Sequence, residues 1–506
     1  MRIARNIIKY APVLGLLWGL GIGAPSAFAA SADSVTPIDP ATGKSLVAPQ
    51  DSVLAEDVPE GPPNAQPPPY TMLRYTENYS YLANPANSTD FFDPIKYIPL
   101  NPSDPHSYLS FGGELRERFE DYRNQSFGTV SGLHDNDYLL QRLTLDSDLH
   151  VNERLRFFVQ GISGLQFGGY NKPSVDQDPA NLQQAFVDYT FGDPTPEGDR
   201  FTIRGGRFEM TYGSGRLVAT RAAPDIPFKF DGFQFIASSE NTSKLYGFLT
   251  HPVTESTVTF DRTDYGQGFW GLYGTTPVGG PLNTSIDLYY LGFRNDGARY
   301  ANASGLEERH SVGTRLFGKA QDWDYDIEPI FQFGSVGDKD IRAWTFSSDA
   351  GYRFSEMTWS PRLGSKFDIA SGDSDHGNGT LGTFNPLYFK SGYFNDASLF
   401  RPSNIVDVHP NLQVEPEKAT TLTFGSDVVW RYSTQDGLYA PPGNMILPAS
   451  AGSNYVGTTA EAAIQYRIDR HATVTASYVH MFTGQYVASA KGGDVDYFGT
   501  WLSYLW

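Results

Sequence analysis

From residue 107 onward, apolar and polar side chains alternate in segments of roughly ten to thirteen residues. In TWSPRLGSKFDIA, Leu363 and Phe367 point to one side of an extended chain, and Arg362 and Lys366 point to the other. A tilted strand needs about this length to cross the hydrocarbon of a bilayer. The pattern therefore predicts membrane-spanning strands with one apolar and one charged face.

The connections between these strands favour a membrane barrel over a soluble sandwich. Short polar turns, such as 150–154 and 469–471, alternate with longer Gly- and Asn-rich loops, such as 121–137 and 432–454. Outer-membrane barrels have tight periplasmic turns and long outer loops. We therefore predict an all-β fold, a transmembrane antiparallel barrel of about 18 strands over residues 107–506 with both ends in the periplasm. The alternation is weakest in three of its strands, near 244–250, 268–275 and 402–411.

The chain ends on the aromatic strand YFGTWLSYLW. Phe498, Leu502, Tyr504 and Trp506 share one face of it, which fits a strand that closes the barrel and places an aromatic residue in the interfacial girdle. Outer-membrane barrels generally present such an ending to their assembly machinery, so we expect these four residues to be an assembly signal. The alternative, a final strand in a soluble sheet, fits the strand lengths and the exported N-terminus less well.

The N-terminal region carries a targeting pattern. Basic residues precede an apolar run over 11–22, and Ala-Phe-Ala follows as a small-x-small cleavage site, so residues 1–29 are predicted to be a removable signal peptide. Residues 30–72 are rich in Pro and polar residues and are predicted to be a disordered periplasmic leader. Residues 73–106 carry aromatics without a clear period and are expected to pack on or in the barrel. The predicted location is the outer membrane of a Gram-negative bacterium.

Composition excludes several functions. The 506 residues contain no cysteine and carry a formal charge of −19, which argues against disulfides, thiolate metal sites and a nucleic-acid partner. No catalytic motif such as HExxH or a nucleophile elbow occurs, so an enzyme is not predicted. The acidic stretch GDSDHGNG lacks the spacing of a calcium loop, and neither a metal nor a cofactor is expected.

The charged faces of the strands are predicted to line a polar lumen. The candidate inward cations are Arg116, Arg118, Arg142, Arg156, Arg204, Arg315, Arg362, Lys366 and Arg467. The same faces carry carboxylates, namely Glu114, Asp146, Asp148, Asp188, Asp368, Asp427 and Glu461. Two interpretations stay open: cross-strand ion pairs that brace the wall, or a path for anions. In DWDYDIEP, a row of four carboxylates is expected to be neutralised by arginines on neighbouring strands rather than to bind a cation.

One segment carries the strongest resemblance to a known family. GGRFEMTYGSGRLVATRAAPDIPFKFDGFQF, residues 205–235, resembles the alginate export family of outer-membrane barrels, as do SYLSFGGELRERFE, GTFNPLYF and VVWRYSTQDGLYAPPG. The resemblance implies an eighteen-stranded barrel whose polar lumen passes an anionic polysaccharide, alginate in the named members. Arg207, Arg216 and Arg221 flank the glycine-rich turn at 213–215, in a loop long enough to fold into the pore. They are our preferred cargo contacts.

The main hypothesis is a monomeric channel in outer-membrane lipid that passes an anionic polysaccharide, or its fragments, by passive diffusion. A periplasmic partner that feeds the channel fits this hypothesis. One alternative is an uptake porin for small acidic or aromatic nutrients, because the predicted lumen carries both signs of charge. The other is a structural or adhesive barrel whose pore is plugged, because residues 73–100 have no assigned place.

Overall fold

The computed structural model describes residues 67–101, 103–130, 135–192, 199–221, 223–239, 243–441 and 443–506. The predicted signal peptide and the leader up to residue 66 lie outside the described residues. Within these ranges, no helix has the length and apolar character needed to cross a membrane.

Eighteen antiparallel strands dominate the structure. They are β1 (Tyr108–Arg123), β2 (Asn136–His150), β3 (Leu155–Gly168), β4 (Asp178–Gly192), β5 (Arg200–Phe208), β6 (Phe230–Ser238), β7 (Lys244–Thr254), β8 (Gln267–Gly279), β9 (Thr284–Arg299), β10 (Ser304–Ala320), β11 (Trp323–Val336), β12 (Lys339–Arg353), β13 (Arg362–Ala370), β14 (Ile405–Glu417), β15 (Thr420–Gly425 with Val428–Trp430), β16 (Tyr455–Arg467), β17 (Ala472–Thr483) and β18 (Val495–Leu505).

Short elements complete the described chain. Two-residue strands lie at Ile98–Pro99, Arg262–Thr263 and Thr380–Leu381, and a small hairpin joins Leu438–Ala440 to Asn444–Leu447. The helices are single turns: the 3-10 turns Arg74–Thr76, Ser80–Ala83, Pro85–Asn87 and Gln125–Gly128, and the α-helical turns Asp93–Lys96 and Gln485–Ser489.

The first and last strands pair and close the barrel. Glu114 of β1 lies opposite Leu505 of β18, and the antiparallel pairing continues to Arg123 opposite Asp496. Beyond β18, the backbone N–H groups of Gly113 and Trp506 each donate to the other's carbonyl oxygen, at 3.0 and 3.1 Å. Closure leaves no strand with a free edge. The predicted fold class is confirmed, and all three weakly patterned strands form, as β7, β8 and β14.

The outer face of the barrel is apolar. Leu249, Leu288, Phe331 and Leu363 are each more than half exposed, at 59, 59, 61 and 58%. The four residues of the predicted assembly signal lie on this face of β18, where Phe498 packs against a cluster formed by Phe119 and Leu139. A continuous exposed apolar surface of this kind is suited to lipid rather than water.

The two ends of the barrel differ in the length of their connections. The end that holds Tyr108 and Leu505, here called the near rim, has short turns such as 151–154 and 418–419. Most connections at the opposite end, the far rim, are longer. Two of them, residues 209–229 and 371–404, are here called the first and second inner loops because most of their described side chains are buried or half-buried.

Gly334 of β11 offers a direct test of the backbone geometry. Its φ of +131° is rarely adopted by other residues, and an added Cβ would clash with the carbonyl oxygen of Glu308 on β10. We expect Gly334→Ala to destabilise the barrel by about 1–3 kcal/mol because of backbone strain. The midpoint of heat-induced unfolding in detergent, followed by gel mobility, measures this loss.

Gly274→Ala on β8 is the matched control for this substitution. The nearest atom to a Cβ at Gly274 is 3.7 Å away, which is an ordinary van der Waals distance. An unchanged midpoint for Gly334→Ala, or an equal loss for both variants, would contradict the positive φ of Gly334 and its close approach to Glu308.

Candidate functional site

The inward faces of the strands carry the predicted cations. The set Arg116, Arg118, Arg142, Arg156, Arg204, Arg315, Arg362, Lys366 and Arg467 lies on the strand faces opposite the exposed apolar residues. Most of these side chains are buried, because the interior of the barrel is occupied by other parts of the chain. The structure therefore places these cations on the inward faces, and their role as a substrate path stays a prediction.

Carboxylates on neighbouring strands hold most of these arginines. Arg204 on β5 donates two hydrogen bonds to Asp188 on β4, both at 2.8 Å. Arg156 on β3 donates to both oxygens of Asp148 on β2, at 2.8 and 2.7 Å. Two-point contacts of this kind fix the plane of the guanidinium group as well as its position. The ion pairs brace the wall and leave the arginines rigid.

Three of the four carboxylates in the acidic row pair with arginines, whereas the fourth, Asp322, precedes β11 and accepts a hydrogen bond from the hydroxyl of Ser355. Asp324 pairs with Arg362 of β13, and Asp326 pairs with Arg315 of β10 at 2.6 Å. Glu328 is reached from the first inner loop by Arg216 at 3.3 Å. Because each of these three carboxylates has its own arginine, their mutual repulsion is offset locally.

The first inner loop reaches the middle of the barrel and is held there by the wall. Arg116 of β1 donates to the carbonyl oxygens of Ala223 and Pro224 at 2.9 and 3.0 Å, and its guanidinium group lies 3.1 Å from the carboxylate of Asp225. The turn at Gly213 requires glycine, because its φ is +55° and a Cβ there would clash with the hydroxyl of Tyr273.

The second inner loop packs on the first. The backbone N–H of Ala219 donates to the carbonyl oxygen of Tyr388 at 2.8 Å, and the N–H of Lys390 donates to that of Gly215 at 2.9 Å. Arg216 also donates to the hydroxyl of Tyr393 at 2.8 Å. The two inner loops therefore form one unit inside the far half of the barrel.

The N-terminal segment, residues 67–107, enters the lumen from the near rim. The ring of Tyr75 packs edge-on against Phe158 and Phe186, and the guanidinium of Arg204 lies 4.1 Å from the ring centre. Arg74 donates to the main-chain oxygen of Trp506 at 2.7 Å. These contacts place residues 71–82 inside the near half of the barrel.

The N-terminal segment and the first inner loop meet in the lumen. The hydroxyl of Tyr75 donates to the carbonyl oxygen of Glu209 at 3.1 Å, and the hydroxyl of Thr220 lies 2.7 Å from the sulfur of Met72. A cavity of about 20 Å³ remains at this junction, lined by residues that include Leu73, Met210 and Tyr246. A cavity of this size holds roughly one water molecule. At this level, the N-terminal segment and the first inner loop both occupy the lumen.

The three preferred cargo contacts do not lie together. Arg216 lies in the lumen, but Arg207 belongs to β5 rather than to the loop, and it pairs with Asp231 at 2.7 Å on the outer face near the far rim. Arg221 pairs with Glu255 at 2.6 Å. The expectation that all three flank one turn inside the pore was wrong for Arg207, because strand β5 continues to Phe208.

Two groups of lumen residues were not identified from the sequence. Arg309 of β10 is fully buried and pairs with Glu307; the alternation that singled out Arg315 on the same strand could have found it. Arg74 and Tyr75 lie in a segment without a period, so no sequence signal indicated their place.

Burial changes the acidity of groups on the loops and on the N-terminal segment. Burial raises the pKa of Glu209 to about 7 and that of Asp225 to about 6, although Arg116 opposes the shift at Asp225. Burial, assisted by repulsion from Arg74, lowers the pKa of Lys96 to about 8. The Lys96 ammonium lies 4.9 Å from the ring centre of Tyr79.

Comparisons with known proteins identify a matching family and matching folds. Residues 107–500 match the family model described as "Alginate export". The fold is similar to crystal structures of OpdO from Pseudomonas aeruginosa (TM-score 0.53, 12% identity, covering 81% of this chain and 98% of that one) and OccAB4 from Acinetobacter baumannii (0.53, 10%, 80% and 100%). OccK2 (OpdF) from P. aeruginosa in complex with glucuronate is also similar (0.50, 11%, 78% and 97%). At these identities the likeness concerns the fold alone. No curated protein matches the chain in sequence.

The low pKa of Lys96 predicts a pH dependence for docking of the N-terminal segment. An unfolded lysine has a pKa near 10.5, so between about pH 8 and 10.5 the released segment binds more protons than the docked one. Docking therefore becomes more favourable as the pH rises through this range. Because the chain contains no cysteine, one spin label at Ala83→Cys can report the immobilisation of the segment.

We expect the label to be more immobilised at pH 10 than at pH 7.5. Lys96→Met should be immobilised at both values, because residue 96 then carries no charge that burial would disfavour. A less immobilised label at high pH, or an unchanged pH dependence in Lys96→Met, would show that Lys96 does not control docking of the segment.

Proposed function

The chain belongs to the alginate export family, whose members are outer-membrane channels, and we propose that it passes anionic saccharides, such as alginate or its fragments, by passive diffusion through the lumen. In this assignment the near rim is periplasmic and the far rim faces outward, as in barrels whose chain ends lie in the periplasm.

The observation that carries the proposal is the distribution of arginines inside the barrel. They project inward from β1, β2, β3, β5, β10 and β13, and Arg216 adds one between the inner loops. Guanidinium groups suit the carboxylates of uronate sugars, because their planar fork can donate two parallel hydrogen bonds.

The wall carboxylates set how tightly such a cargo is held. A cargo carboxylate competes with a resident Asp or Glu at each arginine, so individual contacts are weak. Weak binding at several successive sites allows a solute to enter and to leave. A barrel of similar fold has been crystallised with glucuronate, a single uronate, which fits this class of solute.

Passage requires movement of the N-terminal segment. Among the described residues of the segment, the only strand pairing with the barrel is that of the two-residue strand Ile98–Pro99 with Tyr108 and Leu109. The inner loops, in contrast, are continuous at both ends with barrel strands. We therefore assign the opening step to withdrawal of residues 71–82 from the near half of the lumen.

A second candidate function is uptake of small acidic nutrients. The observation that favours it is the pairing of the lumen arginines, since a neutralised wall attracts a long polyanion less than a cationic one does. Growth of a deletion strain on single uronates and other small acids, compared with secretion of uronate polymer, separates the two candidates. Loss of growth alone would favour uptake, and loss of polymer secretion alone would favour export.

Removing the N-terminal segment should increase conductance. In planar bilayers, we expect the mature protein to conduct weakly and a variant without residues 73–106 to conduct several-fold more, because the near half of the lumen is then vacated. The retained heat-dependent gel shift of a folded barrel is the control. Conductance near zero in both proteins would contradict the channel and favour a plugged structural or adhesive barrel.

Arg216 and Arg207 provide a matched pair for testing selectivity. Both are arginines paired with one carboxylate, but Arg216 faces the lumen and Arg207 faces outward. In the variant without residues 73–106, we expect Arg216→Gln to lower the anion-to-cation permeability ratio by about two-fold or more.

Arg207→Gln should leave that ratio unchanged. Reversal potentials in asymmetric salt, with chloride and then glucuronate as the anion, measure the ratio. Equal ratios for Arg216→Gln and the parent would remove Arg216 from the proposed path.

A further inference from the structure

A group of acidic side chains faces the lumen where β13, β14, β15 and β16 adjoin. Asp368 of β13 lies directly opposite Asp407 of β14 in the strand register. His409 of β14 contacts Asp427, which lies in the break of β15, and Glu461 of β16 is the next carboxylate along the wall. The hydroxyl of Tyr393, which accepts from Arg216, donates to Asp368 at 2.6 Å and links this group to the Arg216–Glu328 pair.

Asp407 differs from the wall carboxylates that pair with arginines. Its side chain is fully buried, and neither carboxylate oxygen has a hydrogen-bond partner among the described residues. Lys366, opposite His409 in the register, forms no ion pair with it. Burying an ionised carboxylate without a partner costs free energy of folding. A bound ligand of opposite charge would offset that cost.

The geometry around Asp407 suits one bound cation. A carboxylate oxygen of Asp407, a ring nitrogen of His409 and a carboxylate oxygen of Asp427 all lie within 4.8 Å of one another. Metal ligands of these types bind at about 2.0–2.2 Å from the ion, so three of them around one ion lie roughly 3–4 Å apart. His409 Nδ1 now lies in hydrogen-bond contact with Asp427 at 2.5 Å, so a bound ion would replace the proton shared by these two groups.

Neighbouring groups hold Asp427 in position. β15 is interrupted at residues 426 and 427, and there the N–H of Asp427 donates to the hydroxyl of Thr459 at 2.7 Å. The amide of Asn395 donates to Asp427 at 2.6 Å and to Glu461 at 3.1 Å. Support of ligand carboxylates by such outer hydrogen bonds is a usual feature of metal sites.

We propose that Asp407, His409 and Asp427 form a binding site for a divalent transition-metal ion, with Glu461 positioned to complete it. The donor set identifies the class: one imidazole nitrogen favours Zn²⁺ or a related ion over Ca²⁺ and Mg²⁺, which prefer oxygen ligands alone. Because Asn395 belongs to the second inner loop, the bound ion stabilises the attachment of that loop to the wall.

Zinc content and thermal stability of the full mature protein in detergent test the site. After stripping with EDTA and dialysis against Zn²⁺, we expect the wild type to retain about one equivalent of zinc, measured by mass spectrometry of the metal. We also expect zinc to raise its unfolding midpoint by about 5 °C or more, because the ion binds only the folded chain.

The variants distinguish a metal site from a structural cluster. Asp407→Asn and His409→Gln should each lose the bound zinc and the zinc-induced shift. Without metal, Asp407→Asn should melt above the wild type, since it removes the unpaired charge. Asp349→Asn is the matched control: Asp349 also faces the lumen, pairs with Arg362 at 3.2 Å, and should leave zinc content unchanged.

Two results would overturn the proposal. One is a stripped and reloaded wild type that retains no zinc and shows no shift in midpoint, as expected if Asp407 is neutral because it holds a proton. The other is equal zinc content in the wild type and in both ligand variants. The gel shift of the folded barrel shows whether Asp407→Asn folds. If it does not, His409→Gln still tests the site.

Discussion

The closed ring of backbone hydrogen bonds is the constraint on which the rest of the structure depends. Once β18 pairs with β1, each strand has two partners, and every strand side chain faces either the outside or the lumen. The apolar set meets lipid, and the charged set lies in a confined interior. Charges in such an interior need local partners of opposite sign. Carboxylates on β2 and β4 therefore alternate with arginines on β3 and β5.

The interior is organised in two halves that meet at one junction. The N-terminal segment occupies the near half, and the two inner loops occupy the far half. Wall arginines serve both: Arg156 and Arg204 contact Tyr75 of the segment, while Arg116 holds the first inner loop. The arginines that we propose as cargo contacts therefore also hold the N-terminal segment and the first inner loop in place.

The fold was predictable because apolar and polar residues alternate in most of the strands and because one face of the terminal strand is aromatic. The lumen cations followed from the same period. The contents of the lumen were not predictable in the same way, since Arg74 and Tyr75 lie in single turns whose place is set by tertiary packing. Arg207 was assigned to the loop instead of β5 for a related reason. The residue at which a strand ends beside a long loop is set by backbone hydrogen bonds, which the sequence pattern does not show. The cluster around Asp407 joins residues from two strands and a strand break, a proximity that alternation alone does not reveal.

The contact between Arg74 and Trp506 has a consequence for the order of folding. Arg74 belongs to the earliest described part of the chain, yet its hydrogen bond goes to the main-chain oxygen just beyond β18. That oxygen is in place only after the last strand has joined the first. An incomplete sheet thus lacks the anchor for its own N-terminus, and seating of the segment marks a barrel whose assembly is finished.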